Sequence, residues 1–208
     1  MDVFGGVLVL GVIVVSMVLH ELAHGAVAYA LGDTTAKEDG RLTLNPLRHL
    51  DPMMSVVLPM VSFFLGGVVF GGAKPVPINT ARLRGGIWGM ALVALAGPMT
   101  NFLLAFLALI LGAKTGLGYG LSGEILLQFV RVNLGFGVFN LIPIPPLDGS
   151  RVVYPLMPDG VRNAMDRMEG AGIVVVYMLI VLGGGVFTSV MTGAMTGILQ
   201  LFYWILGI

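Results

Sequence analysis

The chain has no cysteine, few charged residues and only three histidines among its 208 residues. Without cysteine, disulfides, thiolate metal sites and cysteine nucleophiles are excluded. Charged residues make up 11% of the chain and the formal net charge is zero, and no basic cluster indicates binding to nucleic acid. A metal site or acid/base catalyst here must therefore be built from histidine and carboxylate side chains.

Apolar residues, in contrast, make up 57% of the chain, and the mean hydropathy of +0.96 is far above that of a water-soluble protein. This composition predicts an integral membrane protein. A helix needs roughly 20 apolar residues to cross a bilayer. Stretches of that kind lie at 3–31, 87–112, 123–143 and 171–208, with a shorter, interrupted one at 53–71.

The polar connections between these stretches are too short to hold a separate folded domain. We therefore expect residues 1–208 to form one domain within the membrane. The predicted fold is an all-α polytopic membrane protein with about five or six membrane segments. The first stretch has no basic region before it and no convincing cleavage site, so it is not interpreted as a secretory signal.

Two connections have the pattern of short β-strands associated with the membrane. Residues 40–45 alternate between apolar and polar side chains, as a strand does. Residues 73–79 contain Pro75 and Pro77, and each proline keeps the preceding residue out of helical conformation. We expect both segments to be extended and able to pair with an unwound peptide by β-augmentation.

The first apolar stretch contains the pentapeptide His20-Glu21-Leu22-Ala23-His24. No other histidine, Asp, Glu, Lys or Arg occurs between residues 3 and 31, and ionisable side chains at membrane depth are costly enough to indicate a function. Two histidines four residues apart share one face of a helix and can bind one zinc ion. The glutamate beside the first is placed to accept a proton from water. The pattern predicts a metal-dependent hydrolase.

A catalytic zinc site usually needs a third protein ligand and a position left open for water. Asp148 is one candidate, because it follows an apolar segment whose prolines must unwind it. Glu169 is an alternative, although it ends the charged stretch 159–169, which has the pattern of a solvated amphipathic helix. Asp51 precedes a proline and is more typical of a turn or cap.

Topology restricts these candidates, because His20, His24 and Asp148 must meet at one side of the bilayer. They do so only if residues 53–71 re-enter the membrane instead of crossing it. The re-entrant arrangement also collects nine of the eleven Lys and Arg residues on that side. By the positive-inside rule, the metal site then lies nearer the cytosol.

Three motifs occur in the order found in a known family. They are the pentapeptide at 20–24, the Gly-Pro-x-x-Asn-Phe sequence at 97–102 and the Asn-x-x-Pro-x-Pro-Pro-Leu-Asp-Gly sequence at 140–149. Together they make the chain resemble the site-2 proteases, zinc metalloproteases that cut membrane-anchored proteins within the membrane. The chain resembles the compact prokaryotic members, which have neither a PDZ domain nor a regulatory nucleotide-binding domain.

The resemblance implies a role for each matching residue. His20, His24 and Asp148 are the expected ligands of one zinc ion per chain, Glu21 is the expected acid/base, and Asn140 is expected to assist catalysis. The implied substrates are transmembrane segments of proteins in the lipid bilayer, and the implied location is a prokaryotic inner membrane. The residues alone leave one alternative open, a membrane protein that binds or transports metal ions, and they leave the oligomeric state open.

Overall fold

The structure, a computed structural model, consists of helices joined by short connections. It describes residues 3–57, 60–61, 72–115 and 120–207. The α-helices of these ranges, numbered in chain order, are α1 Val3–Ala30, α2 Thr35–Glu38, α3 Gly86–Thr115, α4 Gly120–Asn140, α5 Asp148–Val153, α6 Asp159–Glu169 and α7 Gly172–Leu206. Short 3₁₀-helices at Pro46–Arg48 and Tyr154–Leu156 and a π-helix at Pro52–Val57 complete the list. The all-α architecture is confirmed for this part of the chain.

Helices α1, α3 and α7 are long and apolar enough to cross a membrane, which supports the prediction of a membrane protein. Helix α4 has 21 residues and overlaps the predicted segment 123–143, but it carries Glu124 and Arg131 and is not among the three. The described residues thus support three spans, and the larger number stays a prediction. Most of 53–71 lies outside the described residues, so its re-entrant course also stays a prediction.

Helix α1 ends beside the start of α3. The Arg84 backbone N–H donates to Leu31 O (2.9 Å), and the Arg84 guanidinium donates to Ala30 O (2.7 Å). The chain between these two helices therefore leaves and returns at the same end of the helix pair. The end of α1 consequently lies next to the start of α3.

Helix α3 is the centre of the fold and packs against α1, α4 and α5. Its contact with α4 is built on small side chains, because Ala105 and Ala108 of α3 are buried against Val130 and Leu134 of α4. Small residues let helix backbones approach closely, which maximises van der Waals contact where lipid provides no hydrophobic driving force. This close approach brings polar side chains of neighbouring helices within hydrogen-bonding distance.

Helix α7 contains a break at Gly184, whose φ of 43° and ψ of −119° are not helical. A positive φ is readily adopted by glycine and costs energy for residues with a Cβ. The buried residues of α7 are Gly172 and Val176, both near its start. Beyond the break, partly buried side chains such as Met195, Leu199 and Phe202 pack against the cluster formed by α3 and α4.

The two segments predicted as strands form no strand. Residues 42–44 make a bend, and residues 72–79 have no regular structure. In the second segment, the Lys74 N–H donates to His49 O of the backbone (2.8 Å), and side chains bind the backbone beside it. Arg41 donates to Lys74 O (2.5 Å), and the Val76 N–H donates to Glu21 Oε2 (2.9 Å). Because Pro75 and Pro77 have no N–H to contribute to a ladder, these side-chain contacts replace strand pairing.

Asp33, just after α1, fixes the same segment at its other end. Oδ1 accepts hydrogen bonds from the Thr35 N–H (3.0 Å) and hydroxyl (2.6 Å), and Oδ2 accepts one from the Asn79 N–H (2.6 Å). The side chain is fully buried. Burial raises the pKa of this carboxyl, but the hydrogen bonds from Thr35 and Asn79, together with the charge of Arg82, outweigh it and hold the pKa below its usual range.

Replacing Asp33 with Asn is expected to lower the stability of the fold by about 1–3 kcal/mol at neutral pH, because a charged acceptor is lost. The folded-state pKa lies below the unfolded-state value, so the carboxylate stabilises at neutral pH and this contribution fades as the pH falls through the acid range. Thermal unfolding in detergent between pH 7 and pH 3, compared across variants, measures both effects. The exposed Asp39 provides the control variant Asp39→Asn, and equal shifts for both variants would contradict this account.

Candidate metal centre

Three potential ligand atoms converge where α1 meets the start of α5. His20 and His24 lie one turn apart on α1, with their rings edge to face and their centroids 4.6 Å apart. Asp148 Oδ2 lies 3.1 Å from His20 Nε2 and 3.3 Å from His24 Nε2, and the two Nε2 atoms are 3.0 Å apart. The structure therefore brings together the three residues that were predicted as zinc ligands.

A tight turn delivers Asp148 to the histidines. Helix α4 ends at Asn140, and α5 begins at Asp148 after the proline-rich connection. A Cβ at Gly149 would lie 2.6 Å from Ile142 O and still closer to Leu141 O, so only glycine lets α5 fold back so tightly. The Ser150 hydroxyl donates to Leu147 O (2.7 Å) and holds this first turn. The carboxylate is thereby placed by backbone geometry.

Gly97 has an equally specific place in α3. A Cβ built on it would lie 2.5 Å from His20 Cε1 and 2.6 Å from His20 Nε2, and it would also overlap His24 Nε2. The backbone of α3 thus passes directly against the metal-facing atoms of both rings. The absence of a side chain at this position is a condition for the centre to exist in this fold.

The second nitrogen of each ring is also bonded. His24 Nδ1 lies 2.7 Å from Val93 O, and because a backbone carbonyl can only accept, Nδ1 must carry a proton; in the neutral imidazole Nε2 then has the free lone pair. His20 Nδ1 lies 2.6 Å from Asn101 Oδ1, which gives His20 the same tautomer. Partners of this kind orient histidine ligands in metal sites.

The three converging atoms fit a zinc ion. With both histidines in this tautomer, all three are acceptors, and Asp148 Oδ2 is buried with no hydrogen-bond donor. A tetrahedral zinc ion with ligand distances of about 2.0–2.1 Å separates its ligand atoms by about 3.3 Å, close to the observed separations of 3.0 to 3.3 Å. Two imidazoles and one carboxylate are moreover a common catalytic zinc set that leaves a fourth position open.

Glu21 lies beside this group and is held from the other side. Its Oε2 accepts a hydrogen bond from the Val76 N–H (2.9 Å). Val76 stands between Pro75 and Pro77, neither of which has an N–H, so its amide is the one donor of these three residues. The carboxylate is thus fixed through one oxygen, and the other oxygen is left for a proton.

The remaining candidates from the sequence lie elsewhere. Glu169 pairs with Arg151 at the end of α6, and Asp51 caps the π-helix by accepting from the N–H groups of Met53 (2.8 Å) and Met54 (3.0 Å). Asn140 donates to Phe136 O of its own helix (3.1 Å). Its catalytic role therefore stays a prediction, as do the roles of the other site residues.

Several residues around the centre were not assigned a role from the sequence. Asn101 binds His20 directly, and Asn133 and Ser16 lie behind it. Asn101 stands in the motif at 97–102 but was given no role there. The signal for Asn133 and Ser16 is their polarity within apolar helices, together with the four-residue spacing between Ser16 and His20. The contributions of Val93 O and the Val76 N–H left no such signal, because backbone groups are present at every position.

Comparison with known proteins gives an independent view of the chain. The Bacillus subtilis (strain 168) protein named "Putative zinc metalloprotease YwhC" is 38% identical over 203 residues, which cover 91% of this chain and 88% of that protein. The Mycolicibacterium smegmatis protein named "Putative zinc metalloprotease Rip2" is 34% identical over 183 residues, covering 84% of this chain and 67% of that protein. No protein-family model matches the chain, and no solved structure matches it significantly.

These relatives, together with the apolar helices, place the chain among the membrane zinc metalloproteases. The order and content of its motifs identify the family among these metalloproteases. The chain belongs to the site-2 protease family. Zinc is the metal that the names of the relatives imply, and His20, His24 and Asp148 form a group able to hold it.

Replacing Gly97 with Ala is expected to abolish stoichiometric zinc binding, because the added methyl group occupies the space of the imidazole nitrogens. The matched control is Gly11→Ala on α1, where a Cβ meets nothing within 4 Å. Metal analysis of the two purified variants measures the effect. Full zinc content in Gly97→Ala would show that α3 can move away and that the close approach is not required.

Proposed function

We propose that this protein is an intramembrane zinc endopeptidase that hydrolyses peptide bonds within or near transmembrane segments of membrane-anchored proteins. The observation that carries the proposal is the position of the metal group: His20 and His24 belong to a helix with the length and hydropathy of a membrane span. Glu21 stands beside them in the same helix. A hydrolytic centre on such a helix is suited to substrates that lie in the bilayer.

The chemistry divides between the metal and the side chains of this chain. A zinc ion, when bound, supplies a Lewis acid that polarises the peptide carbonyl and activates water. Glu21 accepts the proton of the attacking water and delivers it to the leaving nitrogen. Val76 keeps the Glu21 carboxylate oriented for both transfers, and Asn101 and Val93 keep the metal-facing nitrogens of the histidines unprotonated.

The substrate must be locally unwound before its carbonyl can be attacked, because helical carbonyls are already hydrogen-bonded. We place this step beside residues 73–79, which lie without regular structure next to Glu21. Lys74 O and Pro75 O accept from Arg41, so the part of this segment nearest Glu21 has little free backbone for strand pairing. Substrate pairing, if it occurs through β-augmentation, therefore uses other positions.

The charge distribution favours a location, and the position of Glu21 favours peptide hydrolysis over metal transport. The bias of Lys and Arg supports a location of the metal-bearing end toward the cytosol of a prokaryotic inner membrane. Transport of metal ions, the alternative function, has no need for a carboxylate next to the first histidine. The relatives named as metalloproteases also favour peptide hydrolysis.

Replacing Glu21 with Gln is expected to reduce cleavage by at least about 100-fold, because proton transfer by a positioned side chain contributes about 10²–10⁴-fold. Zinc content is expected to stay at one ion per chain, since Glu21 is not among the ligands. The measurement is cleavage of a panel of single-pass transmembrane segments in liposomes, with zinc quantified in each sample. Asp148→Asn is the comparison, and it is expected to lose zinc as well as activity.

The outcomes of that experiment separate the two functions. Cleavage by the wild type, lost in Glu21→Gln with zinc retained, supports the endopeptidase. Bound zinc without cleavage of any segment by the wild type would contradict it and favour metal binding or transport.

Replacing Val76 with Pro removes the N–H that binds Glu21 Oε2 and is expected to lower kcat at least about 10-fold, because small displacements of a catalytic group are costly. KM and zinc content are expected to change little. Val76→Ala is the matched control, since it shortens the same buried side chain but keeps the N–H. Equal kcat values for the two variants would show that the amide does not position Glu21.

A further inference from the structure

A chain of buried polar side chains extends from His20 across three helices. Asn101 of α3 accepts from His20 Nδ1 (2.6 Å), and Asn101 Nδ2 donates to Asn133 Oδ1 of α4 (2.8 Å). Asn133 Nδ2 in turn donates to Ser16 Oγ of α1 (2.9 Å) and to Phe129 O (2.8 Å). Both asparagines and Ser16 are fully buried.

The direction of every hydrogen bond among these side chains follows from the last acceptor, the backbone carbonyl of Phe129. Phe129 O is a backbone carbonyl and can only accept, so the Asn133 atom facing it must be the amide nitrogen. Asn133 Oδ1 must then face Asn101, which has to present its own amide nitrogen to it. Asn101 Oδ1 is therefore left for His20, and His20 Nδ1 must donate the proton.

We infer that Asn133 is a positioning residue for zinc: by fixing the orientation of the Asn101 amide, it holds His20 in the tautomer whose Nε2 can bind the metal. Without Asn133, Asn101 is free to turn its amide nitrogen toward His20 Nδ1. His20 would then accept at Nδ1 and carry its proton on Nε2, which points at Asp148 and His24.

The two histidines are secured in different ways. His24 is bonded directly to Val93 O, and a backbone carbonyl can only accept a hydrogen bond. His20 is bonded to a side-chain amide, which offers a donor on one side and an acceptor on the other, so its tautomer needs a second determinant. Asn133 supplies it from α4, although it makes no contact with the ligand group itself.

The test measures zinc affinity of the full-length protein in detergent by equilibrating the zinc-loaded protein against a series of chelators. Removing the direct partner of a metal-binding histidine usually weakens metal affinity about 10- to 100-fold, and Asn133→Leu, which releases that partner, is expected to weaken zinc binding by at least about 10-fold. Asn101→Leu is expected to weaken it at least as much. Gln128→Leu, an amide replaced on the same helix α4, is the matched control and is expected to leave affinity unchanged.

A double-mutant cycle distinguishes positioning from general support of the fold. If Asn133 acts through Asn101, the double variant Asn101→Leu/Asn133→Leu binds zinc as Asn101→Leu does, because coupled residues are not additive. Losses that multiply, or full zinc affinity in Asn133→Leu, would overturn the inference. Neither readout requires a substrate, so although the inference rests on the metal site of the proposed function, its failure would leave peptide hydrolysis untouched.

A second measurement covers the case in which Asn133→Leu does not fold. The chain has three histidines, so ¹⁵N-histidine spectra of the zinc-loaded full-length protein contain three ring patterns. We expect His20 and His24 with the proton on Nδ1 and the metal on Nε2, and His49 with the proton on Nε2, which donates to Thr43 O (2.8 Å). A wild-type His20 that carries no proton on Nδ1, or that binds the metal through Nδ1, would overturn the inference without any variant.

Discussion

The constraint on which the rest of the structure depends is the convergence of three buried acceptors, His20 Nε2, His24 Nε2 and Asp148 Oδ2, with no donor among them. Lone pairs that face one another at about 3 Å repel unless a cation lies between them. Contacts made by several different helices hold the three acceptor atoms in this position. The architecture of the bundle is thus organised around a position that only a positive charge can stabilise.

Each helix contributes something the others lack. Helix α1 provides the histidines and Glu21, α3 provides the carbonyl of Val93 and the side-chain-free surface of Gly97, and α4 leads into the turn that ends at Asp148. Because lipid does not drive helices together as water does, small residues and buried hydrogen bonds carry much of the association. The same contacts that assemble the helices therefore also orient the ligands.

Much of this could be predicted from the sequence, and the reasons for the exceptions are physical. The ranges of α1, α3 and α7 follow from apolar runs of spanning length, and the two histidines follow from the scarcity of ionisable residues in the first run. Asp148 was one of three candidates for the third ligand, and topology and the family motif favoured it. The prediction of strands at 40–45 and 73–79 was wrong. Alternation and prolines indicate that a segment is extended, but they do not indicate which partner binds its backbone. Side chains of Arg41, Glu21 and Asp33 took that role. Amide orientation and backbone partners depend on tertiary contacts that no local pattern encodes.

The end of α1, the start of α3 and the turn before α5 all reach the centre from the same end of the helices, as the contacts between Arg84 and Ala30 and between Asp148 and the histidines require. The two imidazoles and the carboxylate are thereby tied to one end of the bundle. A change in helix packing at that end displaces all three ligands together, whereas the opposite ends of the helices can vary without reaching the centre.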